Sequence, residues 1–207
     1  ALKKIVELER EKAVLLGYED HPYDSLLNIY EKRLTVSKLE NLFGEVKREI
    51  VPLINQIKNQ TQVDDSFLYQ SFDKDKQFDF SIELLKLMGY NFQAGRQDIS
   101  THPFTINFNA QDVRVTTRVN ENDLSEVIWS TIHEGGHGLY EQGLLCNQYG
   151  LPSGEYVSLG IHESQSRIWE NNIGRAKHWW KFIYPKLQNV FPEQLATVSL
   201  DDFYKAI

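Results

Sequence analysis

The stretch NENDLSEVIWSTIHEGGHGLYEQG, residues 120–143, decides how the rest of the chain is read. Asp123 can cap a helix, with Glu126 at the capping-box position, and Gly143 is a ready stop. Leu124, Val127, Ile128, Ile132 and Leu139 recur at helical spacing and form an apolar face. On such a helix His133 and His137 lie one turn apart on the same face, where two imidazoles can share one zinc ion at about 2.0–2.1 Å each. Glu134 sits beside them, placed to hold a water rather than to bind the ion. Zinc would lower that water's pKa toward ~7 and the glutamate would accept its proton.

A chance H-E-x-x-H in a chain of this length has a probability on the order of one per cent. The glycines argue further against accident. Each costs roughly 0.8–1 kcal/mol relative to alanine in a helix interior, so a purely structural helix has no reason to carry Gly135, Gly136 and Gly138 together. A helix that another backbone or a substrate must approach closely does have one.

Two histidines do not complete a catalytic zinc site, which usually has three protein ligands and an open position. The segment LGIHESQSRIWENN, residues 159–172, is a polar patch inside a helical run, and Glu163 lies 26 positions after His137. GLLCNQYGLPSGE, residues 143–155, supplies a loop that lets a second helix return beside the first. On that helix Glu163, Ser166 and Arg167 share a face with Gln165 to one side, while Ile161, Ile168 and Trp169 can pack inward. Glu155 and Glu170 compete with Glu163 as the third ligand. Glu141, four residues after His137, reads better as a salt-bridge residue or a partner to a ligand.

Helical periodicity extends over most of the chain. In residues 35–58 Leu39, Leu42, Phe43, Val46, Ile50, Leu53 and Ile57 fall on one stripe, Ser37 and Glu40 suit a capping box, and Pro52 should kink the far half. Residues 21–33 read as a turn and a short helix, 59–66 as a polar loop, and 73–89 as a helix ending at Gly89. From Tyr90 to Val119 the character changes. HPFTINFNAQDVRVTTRV alternates and reads as two strands, about 104–108 and 113–119, which must pack on something to be stable. The aromatic run HWWKFIY, 178–184, has the spacing of core or interface packing. The picture is one mainly α domain over 1–207, a helical region at 1–90 followed by a metal-binding region at 91–207. Helical patterning starts at the first residue and VSLDDFYKAI opens a helix, with Ser199 or Asp201 as cap, just before the chain stops. We therefore expect a fragment of a longer protein.

Composition excludes several classes. Hydrophobic residues make up 41% and charged residues 25%, as in an ordinary globular protein. A net charge of −7 argues against nucleic acid as partner. No apolar run approaches the ~20 residues of a membrane helix, and the charged N-terminal stretch is no signal peptide. The single cysteine, Cys146, permits no disulfide within the chain, favours a reducing compartment, and reads as a small buried residue.

HPF at 102–104, DVRVTT at 112–117, HEGGH at 133–137 and HESQSR at 162–167, in that order, together with GLYEQG and the earlier ELEREKAVLLGYEDHPYDSLL, resemble the carboxypeptidase Taq family of thermostable HEXXH metallocarboxypeptidases over nearly the whole chain. The resemblance implies a largely helical fold with a small antiparallel β element beside an active-site groove. It implies removal of single amino acids from free peptide C-termini with broad specificity. It makes His133, His137 and Glu163 ligands of one zinc or cobalt ion and Glu134 the general base, in a cytoplasmic homodimer. Members are longer and carry G-x-x-Q-D-x-H-W further on. That pattern has no match here, so the residues that steady the intermediate and hold the substrate's carboxylate are expected outside this stretch.

Arg114 and Arg118 alternate on one strand face and are candidates for binding a substrate carboxylate, though a structural pairing, with Asp112 for instance, suits Arg114 better. Arg167 reads as a brace beside the ligands. His102, held extended by the following proline, can bond substrate or ligand or simply serve a turn. Ser164 and Gln165 are placed to orient Glu163. An endopeptidase using the same water chemistry, or a non-catalytic helical binding module, are the competing readings.

Overall fold

The computed structural model describes residues 1–207. The chain forms two compact units, Ala1–Gln62 with Ser158–Gly160, and Val63–Val157 with Ile161–Ile207. No helix is long and apolar enough to cross a membrane.

In the first unit α1 (Leu2–Leu16), α2 (Pro22–Tyr30) and α3 (Val36–Lys58) follow one another. Pro22 opens α2, where its missing N–H costs nothing, and His21 Nδ1 accepts the Tyr23 N–H. The cap of α3 is Thr35, whose hydroxyl accepts from the Lys38 N–H. The expected capping box at Ser37 and Glu40 is thus not used. The Asp24 carboxylate already takes the Val36 N–H at 2.7 Å and starts the helix one residue before Ser37. Helix α3 continues through Pro52 to Lys58. Of its apolar stripe, Leu42, Phe43, Val46, Ile50, Leu53 and Ile57 are exposed, and Ala13 is the one buried residue of Ala1–Gln62.

The second unit holds the core. Asp73 caps α4 (Lys74–Met88) by accepting the Lys76 N–H, and Gly89 ends it in the left-handed region at φ 96°. A three-stranded sheet follows, β1 (Gly95–Ile99), β2 (Thr105–Asn109) and β3 (Asp112–Thr117), in the order β1-β3-β2. Strands β2 and β3 are the expected antiparallel pair, Thr105 opposite Val115 and Asn107 opposite Val113. Strand β1 adds a parallel partner on the other edge of β3, Gly95 opposite Val113 through Ile99 opposite Thr117.

Helix α5 (Leu124–Gln142) packs across β3 and against α4. After two short 3-10 turns come α6 (Leu159–Arg167), continued as a π-helical stretch Ile168–Ile173, then α7 (Lys177–Val190), α8 (Pro192–Leu195) and α9 (Leu200–Ala206), which Ser199 caps. Leu84, Leu124, Ile128, Ile132, Trp180, Ile183 and Phe203 are fully buried in one cluster. A belt of buried hydroxyls and amides ties sheet to helices: Thr117, Thr131 and Ser130 link β3 to α5, and Gln97 of β1 reaches Thr131 and Ser81. Two expectations are corrected. Cys146 is exposed, because it opens a surface 3-10 turn. Ile161 and Ile168 are also exposed; of the three residues expected to face inward, only Trp169 packs on the core.

Candidate metal centre

Helix α5 presents its functional groups because its other sides are smooth. A Cβ on Gly136 would lie 2.7 Å from Ser166 Cα, so the glycine lets the backbone of α6 press directly on α5. Gly135 and Gly138 make the same allowance for Met88 and Leu85 of α4 and for Tyr90 and Val115. The close approach foreseen from the glycines is this packing, and it carries the polar face of α6 to the two histidines.

One ligand atom each from His133, His137 and Glu163 lie within 4.8 Å of one another. Glu163 Oε2 is 3.8 Å from His133 Nε2 and 3.5 Å from His137 Nε2. Both imidazoles therefore turn Nε2 to the cluster and Nδ1 away from it. The His133 Nδ1–H donates to Glu170 Oε2 at 2.7 Å, and His137 Nδ1 lies 2.5 Å from His162 Nδ1. Burial first, and then the charges of His162 and His133, lower the His137 pKa to about 4, which leaves the imidazole neutral and its lone pair available. Glu163 is half exposed at 48%, so the cluster is open on that side. Burial works to raise the Glu163 carboxyl, but the Arg167 hydrogen bond and the charges of His133, Arg167 and His137 outweigh it, and the net shift is downward. Two imidazoles and a carboxylate, converging from two helices with one side open, could serve as the donor set of a three-ligand divalent metal site.

Glu134 lies next to the cluster and is 7% exposed. Burial raises its carboxyl above the ordinary value, against the opposing effect of the Thr105 hydroxyl, which donates to Oε2 at 2.7 Å. Thr105 and Asn107 alternate to the same face of β2 and meet α5 at two points. Thr105 contacts Glu134, and Asn107 Nδ2 donates to Glu141 Oε2 at 2.7 Å.

The remaining candidates separate. Arg167 donates to Glu163 Oε1 at 2.8 Å and to Glu170 Oε2 at 3.0 Å, bracing both carboxylates. Arg114 makes a two-point pair with Asp112 at 2.8 and 2.9 Å and lies over the Phe108 ring, and Arg118 pairs with Glu126 at 3.1 Å. His102 lies in the turn between β1 and β2, exposed, and its charge acts on Glu134. No hydrogen bond joins Ser164 or Gln165 to Glu163; the Gln165 carbonyl instead faces Gly136. Glu155 lies away from the cluster, beside Cys146 and Tyr149. Sequence reasoning did not single out Thr105, Asn107 or His162, and it weighed Glu170 only as a rival ligand. The i, i+7 spacing of Glu163 and Glu170, with Arg167 between them, was the available signal.

The model of the carboxypeptidase Taq (M32) metallopeptidase family matches residues 1–207. Carboxypeptidase 1 of Bacillus subtilis (strain 168) is 43% identical over 207 residues, which are 100% of this chain and 41% of that protein. A solved structure named CHT superposes with a TM-score of 0.92 at 60% identity, over 97% of this chain and 41% of the other. The M32 carboxypeptidase from Deinococcus radiodurans R1 superposes with a TM-score of 0.94 at 36% identity, over 100% of this chain and 41% of the other. The chain spans about two fifths of the length of the curated relatives it matches.

Proposed function

The chain belongs to the carboxypeptidase Taq (M32) metallopeptidase family, and from that premise we propose that it carries the metal ligands and general base of a carboxypeptidase that hydrolyses the last peptide bond of a substrate with a free C-terminus. The observation that carries this reading is the convergence of His133 Nε2, His137 Nε2 and Glu163 Oε2 beside the buried Glu134. His133, His137 and Glu163 would hold one divalent ion, zinc or cobalt, whose Lewis acidity polarises the scissile carbonyl and acidifies water.

The chain's own groups do the rest. Glu134 takes the proton of the attacking water as the new C–O bond forms, then delivers it to the amide nitrogen as the C–N bond breaks. A carboxyl raised by burial suits both halves of that transfer, since it accepts a proton readily and still releases it. Thr105 holds the carboxylate in place. Arg167 keeps Glu163 turned toward the imidazoles while leaving Oε2 to the metal side. Arg114 and Arg118 already carry carboxylate partners, and we assign them to the scaffold rather than to substrate. His102 is the group left near Glu134 for substrate contact. The exposed free thiol of Cys146 supports a reducing, cytoplasmic setting.

Elemental analysis of the purified chain tests the site, alongside amino-acid release from a free peptide and from the same peptide amidated at its C-terminus. The expected result is one zinc or cobalt per chain, lost in Glu163→Ala, with any hydrolysis confined to the free peptide. Absence of metal from the wild type overturns the proposal, and cleavage of the amidated peptide makes the chain an endopeptidase.

A further inference from the structure

Both histidines of the cluster are backed at Nδ1, but by different means. His133 meets a carboxylate directly, Glu170 Oε2 at 2.7 Å. His137 meets a third imidazole, His162, whose far nitrogen Nε2 lies 2.6 Å from Glu141 Oε1. Glu141 is 3% exposed, and its other oxygen accepts from Asn107. We propose that Glu141 and His162 act in series as positioning residues that select which ring nitrogen His137 offers to the metal. The proposal rests on reading the cluster as a metal centre.

The chemistry of donors and acceptors dictates the series. An ionised carboxylate only accepts, so the proton of His162 sits on Nε2. In its neutral form His162 carries one N–H, so with that proton on Nε2 its Nδ1 is an acceptor. The His137 Nδ1 at 2.5 Å from it must then be the donor. That leaves the lone pair of His137 on Nε2, the atom facing Glu163. Tyr140 and Tyr156 stand edge-on to the His162 ring, at 5.0 and 5.3 Å between centroids, and hold its plane. Removing either link frees His137 to place its proton on Nε2, where it blocks ligation.

Two measurements test this. Long-range proton–nitrogen correlation spectra of the metal-free chain, labelled with ¹⁵N-histidine, report the tautomer of each ring. The expected pattern is Nε2–H for His162 and Nδ1–H for His137; the reverse at either ring overturns the relay. Zinc dissociation constants, read by competition with a chromophoric chelator, are then compared for wild type, Glu141→Leu, His162→Phe and the double variant. Each single change is expected to weaken binding by about 10–100-fold. Because the links act in series, the double variant should bind within about twofold of the weaker single one. Unchanged affinity, or losses that multiply, overturn the proposal. Should a variant lose its helical circular dichroism, the wild-type tautomers decide alone. A wild type that takes up no zinc refutes the metal reading, while the tautomer pattern still settles the relay.

Discussion

At the scale of the residue, adjacent positions on one helix separate the proposed metal ligands from the proposed base. Glu134 follows His133 directly, so its carboxylate leaves the helix at a different angle and ends against Thr105 instead of in the His–Glu163 cluster. Glu134→Gln keeps the shape and removes the proposed base. Hydrolysis should fall by about 10²–10⁴-fold with metal content unchanged, measured as amino acid released per metal-loaded molecule. Metal lost together with activity would make Glu134 a ligand instead. The two imidazoles on one face follow from spacing alone, and the return of a polar helix was legible in the loop glycines and the isolated polar patch. What spacing could not tell was the side of each ring that a carboxylate would reach. Glu163 and Glu170 are chemically the same and lie two turns apart, yet one faces Nε2 and the other Nδ1. Only tertiary placement separates those outcomes.

At the scale of the element, glycine in a helix has opposite consequences in two places. Gly44 of α3 has nothing within 4 Å of where a Cβ would stand. Gly44→Ala should stabilise the chain by roughly 0.5–1 kcal/mol through helix propensity. Gly136→Ala gains the same propensity but drives a carbon to 2.7 Å from the α6 backbone, which cannot swing aside as a side chain can. A net loss of about 1–3 kcal/mol is expected, and paired urea denaturations of the two variants should shift in opposite directions. The elements also show where local pattern fails. Helices α4 and α5 were legible because caps, stops and periodicity agree. Strand β1, GRQDI, carries no apolar alternation and buries a glutamine, so nothing in its own five residues marks it as a strand. Its partner β3 recruits it.

At the scale of the whole molecule, the two units differ in how far sequence pattern predicts burial. The apolar periodicity of α4, α5 and α7 ends in a core, whereas the equally regular stripe of α3 is exposed. Period counts report the face of a helix and not what lies against it. The core also sets an alkaline limit. The Tyr90 and Tyr184 phenols are each pushed up to about 12, chiefly by burial, and each donates to a backbone carbonyl, that of Val113 or Val198. A folded pKa above the unfolded value of 10 means a stabilising contribution that is complete below about pH 10 and lost as the pH rises toward 12. Melting temperature should hold near pH 9 and fall between pH 10 and 12. Tyr184→Phe, which cannot ionise, should flatten part of that fall.

The central place of β3 bears on time as well as space. Its hairpin with β2 closes over a two-residue turn, a step of microseconds, while β1 must add in parallel across a longer connection. Once all three strands are joined, β3 is bonded on both edges and covered by α5, so its amides can meet solvent only when the second unit opens as a whole. Deuterium should therefore enter β3 last and the free edges of β1 and β2 earlier. The histidine helix would then rest on the slowest-exchanging floor of the protein, while Glu134 leans on Thr105 of an edge strand that breathes.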